Sequence, residues 1–153
     1  MDVLDVLEMA AGLNEAAASA KSIRLHTYGV EPLVARGDYH LLLEAIDNLI
    51  GNAIKHTRPG GSVVCEAALG GGEAVVRIID EGPGLTEADL ARAFRPFTRL
   101  SAAGDGARAP HGLGLWIVRL IAERHGGSVE AENRRDGRGA EFTIRLPILA
   151  QPH

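Results

Sequence analysis

Two asparagines, one turn apart, sit where a helix gains nothing from them. In "LLLEAIDNLIGNAIKHT", residues 41 to 57, Glu44, Asn48, Asn52 and Lys55 recur at i, i+4, i+8 and i+11. On a helix they fall within about 80° of one another. Asn is a mediocre helix former. Its amide oxygen is, however, a hard neutral ligand suited to Mg²⁺ that retains water and phosphate oxygens. Lys55 adds a point charge that suits phosphate. A solvated polar face is the ordinary reading of such a stripe taken alone.

Two further stretches have chemical potential. "DEGPG", Asp80 to Gly84, places a carboxylate at a strand end beside a glycine-rich turn. That is either a plain turn or an acceptor held where backbone can approach a ligand closely. "HGLGLWIV", His111 to Val118, opens a helix with two glycines. The free N–H groups and positive end of such a helix suit phosphate oxygens.

These groups need elements to hold them. Leu42, Ile46, Leu49, Ile50 and Ala53 form the apolar stripe opposite the asparagines, so the segment reads as an amphipathic helix capped by Asp38. It stops near Thr57, before Pro59-Gly60-Gly61. Residues 3 to 19 read as a helix. "IRLHTYG" and "PLVARG" read as two strands. "SVVCEAALGGGEAVVRIIDEG" reads as a hairpin around Gly70-Gly71-Gly72 with a slightly long turn. After Asp80 a stretch rich in Gly, Ala and Pro holds one short helix, Glu87 to Ala93, capped by Thr86. The rest is a loop long enough to be a lid. A helix closed by Gly126 and the strands "SVEAEN" and "AEFTIRLP" complete the chain. The order is helix, two strands, helix, two strands, lid, helix, two strands. It implies an α/β (α+β) two-layer sandwich with a mixed, mostly antiparallel sheet packed on three helices.

The totals narrow the function classes. The 153 residues suit one domain, residues 1–153, with 46% hydrophobic and 24% charged residues. The net charge is −4 and no basic run occurs, which argues against nucleic acid as a partner. The one cysteine, Cys65, excludes an internal disulfide. No apolar run reaches membrane-span length and no signal-peptide pattern opens the chain.

In order and spacing, the motifs together resemble the GHKL ATPase superfamily, and within it the catalytic and ATP-binding domain of a bacterial two-component sensor histidine kinase. "NLIGNAIKHT" resembles the N box, "DEGPG" the G1 box, "FRPFTR" the F box, "HGLGL" the G2 box, and "GRGAEFTIRLP" the last strand with its glycine box. The resemblance implies a Bergerat-type fold, a site for ATP with Mg²⁺, and an ATP lid over about residues 85–111. Carried over by position, Asn52 and Asn48 would hold the metal. Lys55 would touch phosphate, with Asn52 and Lys55 the catalytic pair. His56 would lie near adenine or ribose. Asp80 would accept from the adenine amino group, with Thr143 helping it, while Gly82 and Gly84 let backbone pass close to the base. Gly112, Leu113, Gly114 and Leu115 would offer N–H groups to the phosphates. Phe94 and Phe97 would anchor the lid. Arg99 would face either the γ-phosphate or solvent.

Three departures refine the expectation. Where gyrase-like relatives keep a glutamate base, four residues before the metal Asn, this chain has Asn48, which argues for a kinase over a hydrolase. Ala109 and Pro110 replace glycines that usually open the G2 box, and proline removes one N–H. His26, His40, His56, His111, His125 and His153 all lack the context of a phosphoacceptor. The acceptor histidine is therefore expected on a separate dimerisation domain of the same parent, with a response regulator as the indirect partner. The fragment itself is expected to be a monomer, in the cytoplasmic part of an inner-membrane sensor. The alternatives are a GHKL protein serine kinase of the anti-sigma type and an ATP-binding pseudokinase or scaffold.

Overall fold

A computed structural model describes residues 1–29, 33–96, 114–136 and 138–149. Three long helices cover one face of a five-stranded sheet. The elements are α1 (Val3–Ala20), β1 (Arg24–Gly29), α2 (Tyr39–His56), β2 (Ser62–Gly70), β3 (Glu73–Ile79), α3 (Glu87–Arg92), α4 (Gly114–Arg124), β4 (Ser128–Asn133) and β5 (Ala140–Pro147). The spatial order is β1-β2-β3-β5-β4, with β1 and β2 parallel and every other pair antiparallel. This is the mixed, mostly antiparallel two-layer arrangement implied by the element order.

Helix α2 is the middle of the helical layer, packed between α1 and α4. Its apolar stripe is fully buried: Leu42, Ile46, Leu49, Ile50 and Ala53 are at 0% exposure. Against it come Val63, Val76, Ile78, Phe142 and Ile144 from the inner face of the sheet. Burying one such aliphatic side chain stabilises by about 1.5–3 kcal/mol, so the stripe fixes the rotation of α2 about its axis. The asparagines are thereby aimed at the side of the layer.

Both ends of α2 are fastened. Asp38 caps the start, its Oδ1 accepting from Leu41 N–H at 3.1 Å. The Asp38 N–H in turn donates to His125 Nε2 at 3.0 Å, and His125 Nδ1 lies 2.8 Å from the Ile121 carbonyl. Through these two contacts His125 ties the end of α4 to the start of α2. At the other end Lys21 Nζ donates to the Ile54 and Lys55 carbonyls, both at 2.8 Å. A cation there satisfies two otherwise free acceptors and complements the helix dipole.

Two local expectations change. "PLVARG" is not a second strand. Val34 bridges Asp2, and Ala35 bridges Ile148, one pair each. The segment is gripped between the residues before α1 and those after β5, so no ladder propagates. The β2–β3 turn is tighter than expected. Gly70 pairs with Glu73, leaving Gly71 and Gly72 alone at the tip with φ of +60° and +80°. Two successive positive φ values mark a type I′ hairpin, a conformation that glycine adopts without strain.

Helix α3 begins at Thr86 with a capping box: Asp89 N–H donates to Thr86 Oγ1 at 3.0 Å and Thr86 N–H returns to the Asp89 carboxylate at 3.4 Å. It ends at Arg92, one residue before the expected stop. Beyond it, most of the expected lid falls outside the described residues.

Candidate functional site

Asp80 follows the last residue of β3 and is 2% exposed. Its position is set by strand pairing, because Asp80 N–H donates to the Ala140 carbonyl at 2.9 Å across to β5. The side chain is held as tightly. Oδ1 accepts from Gly82 N–H at 2.8 Å and from Ala140 N–H at 3.0 Å. Among the described residues both bonds land on Oδ1, which leaves Oδ2 for an outside donor. Burial pushes the Asp80 carboxyl above the ordinary carboxylate range, against the pull of the two backbone bonds.

The glycine turn after Asp80 closes against α2. A Cβ on Gly82 would stand 2.6 Å from the His56 carbonyl, so only glycine allows the turn and the helix end to touch. Thr57, the C-cap of α2, reinforces the contact by accepting from Glu81 N–H at 3.4 Å. Asp80, His56, Pro83, Gly84, Leu85 and Phe142 then line one small pocket. Its floor is aromatic: Phe142 meets Phe94 edge-on, with centroids 6.2 Å apart.

His56 faces this pocket from the last turn of α2. Its Nε2 is buried and has no hydrogen-bond partner among the described residues. Desolvation holds its pKa below the usual 6.5, with nearby Asp80 pulling the other way. A neutral imidazole with a free nitrogen and a carboxylate with a free oxygen therefore share one apolar-walled pocket. This combination reads the hydrogen-bonding edge of a planar base or a sugar hydroxyl.

One turn back along α2, the second half of the site takes shape. Asn48 and Asn52 are half-buried, while Lys55 and Glu44 are exposed. Asn52 Nδ2 is buried and unpartnered among the described residues. A Cβ on Gly114 would lie 3.6 Å from Asn48 Oδ1, so the start of α4 abuts the asparagine face. Two amide oxygens beside a helix N-terminus form a neutral, hard-oxygen environment. Neutral amide oxygens of this kind suit Mg²⁺ that carries water and phosphate oxygens.

The structure thus brings Asn48, Asn52, His56, Asp80, Gly82, Gly84 and Gly114 to one side of α2. Leu115 is 9% exposed and belongs to the core, so only its backbone remains for a ligand. Thr143 is not at Asp80. It pairs with Arg77 on β3 and Glu130 on β4, whereas Ala140 is the residue facing Asp80. Three positions along a strand reverse the face, so Thr143 lies on the opposite face of the sheet from Ala140, where it is still buried. The β5 group that bonds the Asp80 carboxylate is the Ala140 N–H. Phe97, Arg99, Ala109, Pro110, His111, Gly112 and Leu113 lie outside the described residues.

Sequence reasoning missed Ala140, Thr57, the last residue of β4, Asn133, and Arg134 just after it. Arg134 Nη1 donates to the Asp80 carbonyl at 3.3 Å. Gly139, at φ +101°, leaves no room for a Cβ beside that same carbonyl. The only signal for these residues was an Asn and a Gly flanking "RRDGR", which reads as an ordinary turn.

Residues 37–150 match the family described as histidine kinase-, DNA gyrase B-, and HSP90-like ATPase. The chain is 32% identical over 152 residues to the sensor-like histidine kinase SenX3 of Mycolicibacterium smegmatis, covering 99% of this chain and 39% of that protein. It therefore spans well under half the length of that relative. Among solved structures, the mycobacterial sensor histidine kinase MprB superposes with a TM-score of 0.87 at 26% identity, over 99% of each chain. Full-length ShkA, solved in complex with AMPPNP, superposes with a TM-score of 0.82 at 30% identity, over all of this chain and 31% of that one.

Proposed function

Because the chain belongs to the histidine kinase-, DNA gyrase B-, and HSP90-like ATPase family, we propose that it binds Mg-ATP and delivers the γ-phosphate to a histidine on a separate dimerisation domain. It acts as the catalytic unit of a two-component sensor, with residues 85–111 as the ATP lid. The observation that carries this reading is the buried Asp80: Oδ1 is fully engaged by two backbone N–H groups, which leaves Oδ2 toward the His56 pocket. Full-length ShkA with AMPPNP supports a nucleotide in the same fold.

Asp80 Oδ2 accepts the amino proton of adenine. His56 borders the base, and Gly82 and Gly84 keep side chains out of its path. The phosphates extend along α2 toward Asn48, Asn52 and the start of α4, whose free N–H groups receive phosphate oxygens. Lys55, one turn from Asn52 on α2, adds positive charge for the phosphates. Asn52 and Asn48 would hold Mg²⁺, which would supply charge neutralisation on the phosphates. The acceptor imidazole then attacks the γ-phosphorus in line. A nitrogen–phosphorus bond forms, the bond to the β,γ-bridging oxygen breaks, and ADP leaves with that oxygen's electron pair. The protein contributes position and charge, as phosphoryl transfer requires.

Glu44 is exposed and two turns from Asn52, which supports phosphotransfer over hydrolysis. No helix among the described residues is long and apolar enough to cross a membrane. The ATP supply supports a cytoplasmic setting, with the response regulator served indirectly. Calorimetric titration with a non-hydrolysable ATP analogue, with and without Mg²⁺, tests the proposal. Wild-type protein is expected to bind, and Asn52→Ala to lose the Mg²⁺-dependent gain in affinity. No binding by the wild type refutes the nucleotide reading.

A further inference from the structure

We propose that Asn133 is a positioning residue for the base end of this pocket, an inference that rests on the nucleotide reading above. Asn133 ends β4. Its side-chain amide spans one backbone unit of the pocket wall: Leu85 N–H donates to Asn133 Oδ1 at 2.7 Å, and Asn133 Nδ2 donates to the Leu85 carbonyl at 2.8 Å. The pair of bonds is what a neighbouring strand would supply, delivered by a side chain to a loop that has no strand beside it.

The next residue fastens the other end of the same loop. Arg134 N–H donates to the Gly139 carbonyl at 3.0 Å, and its guanidinium donates to the Asp80 carbonyl at 3.3 Å. Consecutive residues of one strand end thus pin Asp80 and Leu85, the two ends of Glu81-Gly82-Pro83-Gly84. That turn contains two glycines, the residue type with the most conformational freedom to lose on binding. Fastening both ends removes that freedom before a ligand arrives, so less affinity is lost to ordering.

The same clamp explains Gly84. A Cβ there would stand 2.9 Å from Asn133 Oδ1, and the backbone is at φ +83°. The second glycine of the motif lets Asn133 reach Leu85, in addition to giving room for a base. Leu85 and Gly84 both line the pocket that holds His56 and Asp80. Asn133 is itself exposed, and solvated hydrogen bonds of this kind contribute little to global stability. Its variants therefore fold, and their effect is confined to the shape of the base pocket.

The test compares Asn133→Ala, which removes both bonds, with Asn133→Asp, which keeps the acceptor but sets a carboxylate against the Leu85 carbonyl. AMPPNP and its guanine counterpart are titrated against each protein, and amide hydrogen exchange is followed in the ligand-free state. Both variants are expected to bind AMPPNP about tenfold more weakly. Their preference for adenine over guanine falls by a similar factor, and Leu85 exchange accelerates while core amides are unchanged. AMPPNP affinity within twofold of wild type in both variants overturns the positioning role. So does an equal loss for both bases accompanied by faster exchange throughout the core. Failure of the wild type to bind AMPPNP overturns the nucleotide reading, and the role of Asn133 with it.

Discussion

The His56 carbonyl lies 2.6 Å from the place a Cβ on Gly82 would occupy. The end of the asparagine helix and the glycine turn after Asp80 are therefore in backbone contact, and the two motifs form one surface. A methyl group at this position meets a backbone atom that no rotamer change can move aside. Gly82→Ala is expected to lower stability by about 1–3 kcal/mol and to weaken ATP-analogue binding together with it. Urea denaturation and calorimetric titration check both; an unchanged midpoint with unchanged affinity contradicts the contact.

Asp80→Asn separates folding from binding. The amide oxygen can take over the bonds from Gly82 and Ala140, which turns the new NH₂ toward the ligand. There it faces the amino group of the base, donor against donor. Affinity is expected to fall by roughly 10- to 100-fold with the fold intact. The folded carboxyl titrates above its ordinary 3.8, so its contribution to stability is full below that value and is lost as pH rises through the folded pKa. At pH 7 Asp80→Asn should accordingly be at least as stable as wild type, a comparison thermal melts can make.

His56 gives the opposite dependence. Burial lowers its folded pKa from 6.5, so its contribution is present above 6.5 and is lost as pH falls toward the folded value. Wild-type protein is expected to lose more stability between pH 7.5 and 5.5 than His56→Gln. Asp80 is present in both proteins and is coupled to His56, so the difference between the two slopes reports the pair. Parallel denaturation curves at the two pH values would remove His56 from the account.

Cys65 is fully buried on β2, and desolvation pushes its thiol up to about 12. The thiolate is the reactive form. Iodoacetamide at pH 8 should leave the folded protein unmodified and label it in urea. Stoichiometric labelling of the native protein, read by mass spectrometry, would contradict the burial.

The elements that bury one apolar face were legible in the sequence, because their periodicity records which side meets the core. The stripe from Leu42 to Ala53 is buried as its spacing required, and Asp38, Thr86 and Gly126 mark helix ends as their residue types required. The two asparagines were legible for the converse reason, as polar residues that no packing need explains. Contacts between segments far apart in the chain left no local trace. "PLVARG" carries strand character, yet its partners on either side end after one pair each. The resemblance put Thr143 beside Asp80, but strand alternation and the β3–β5 register put Ala140 opposite Asp80 instead. The grip of Asn133 on Leu85, 48 residues away, is the clearest case. An Asn before a turn looks the same whether its amide faces water or holds a binding loop, and only the packing of β4 beside β5 decides which.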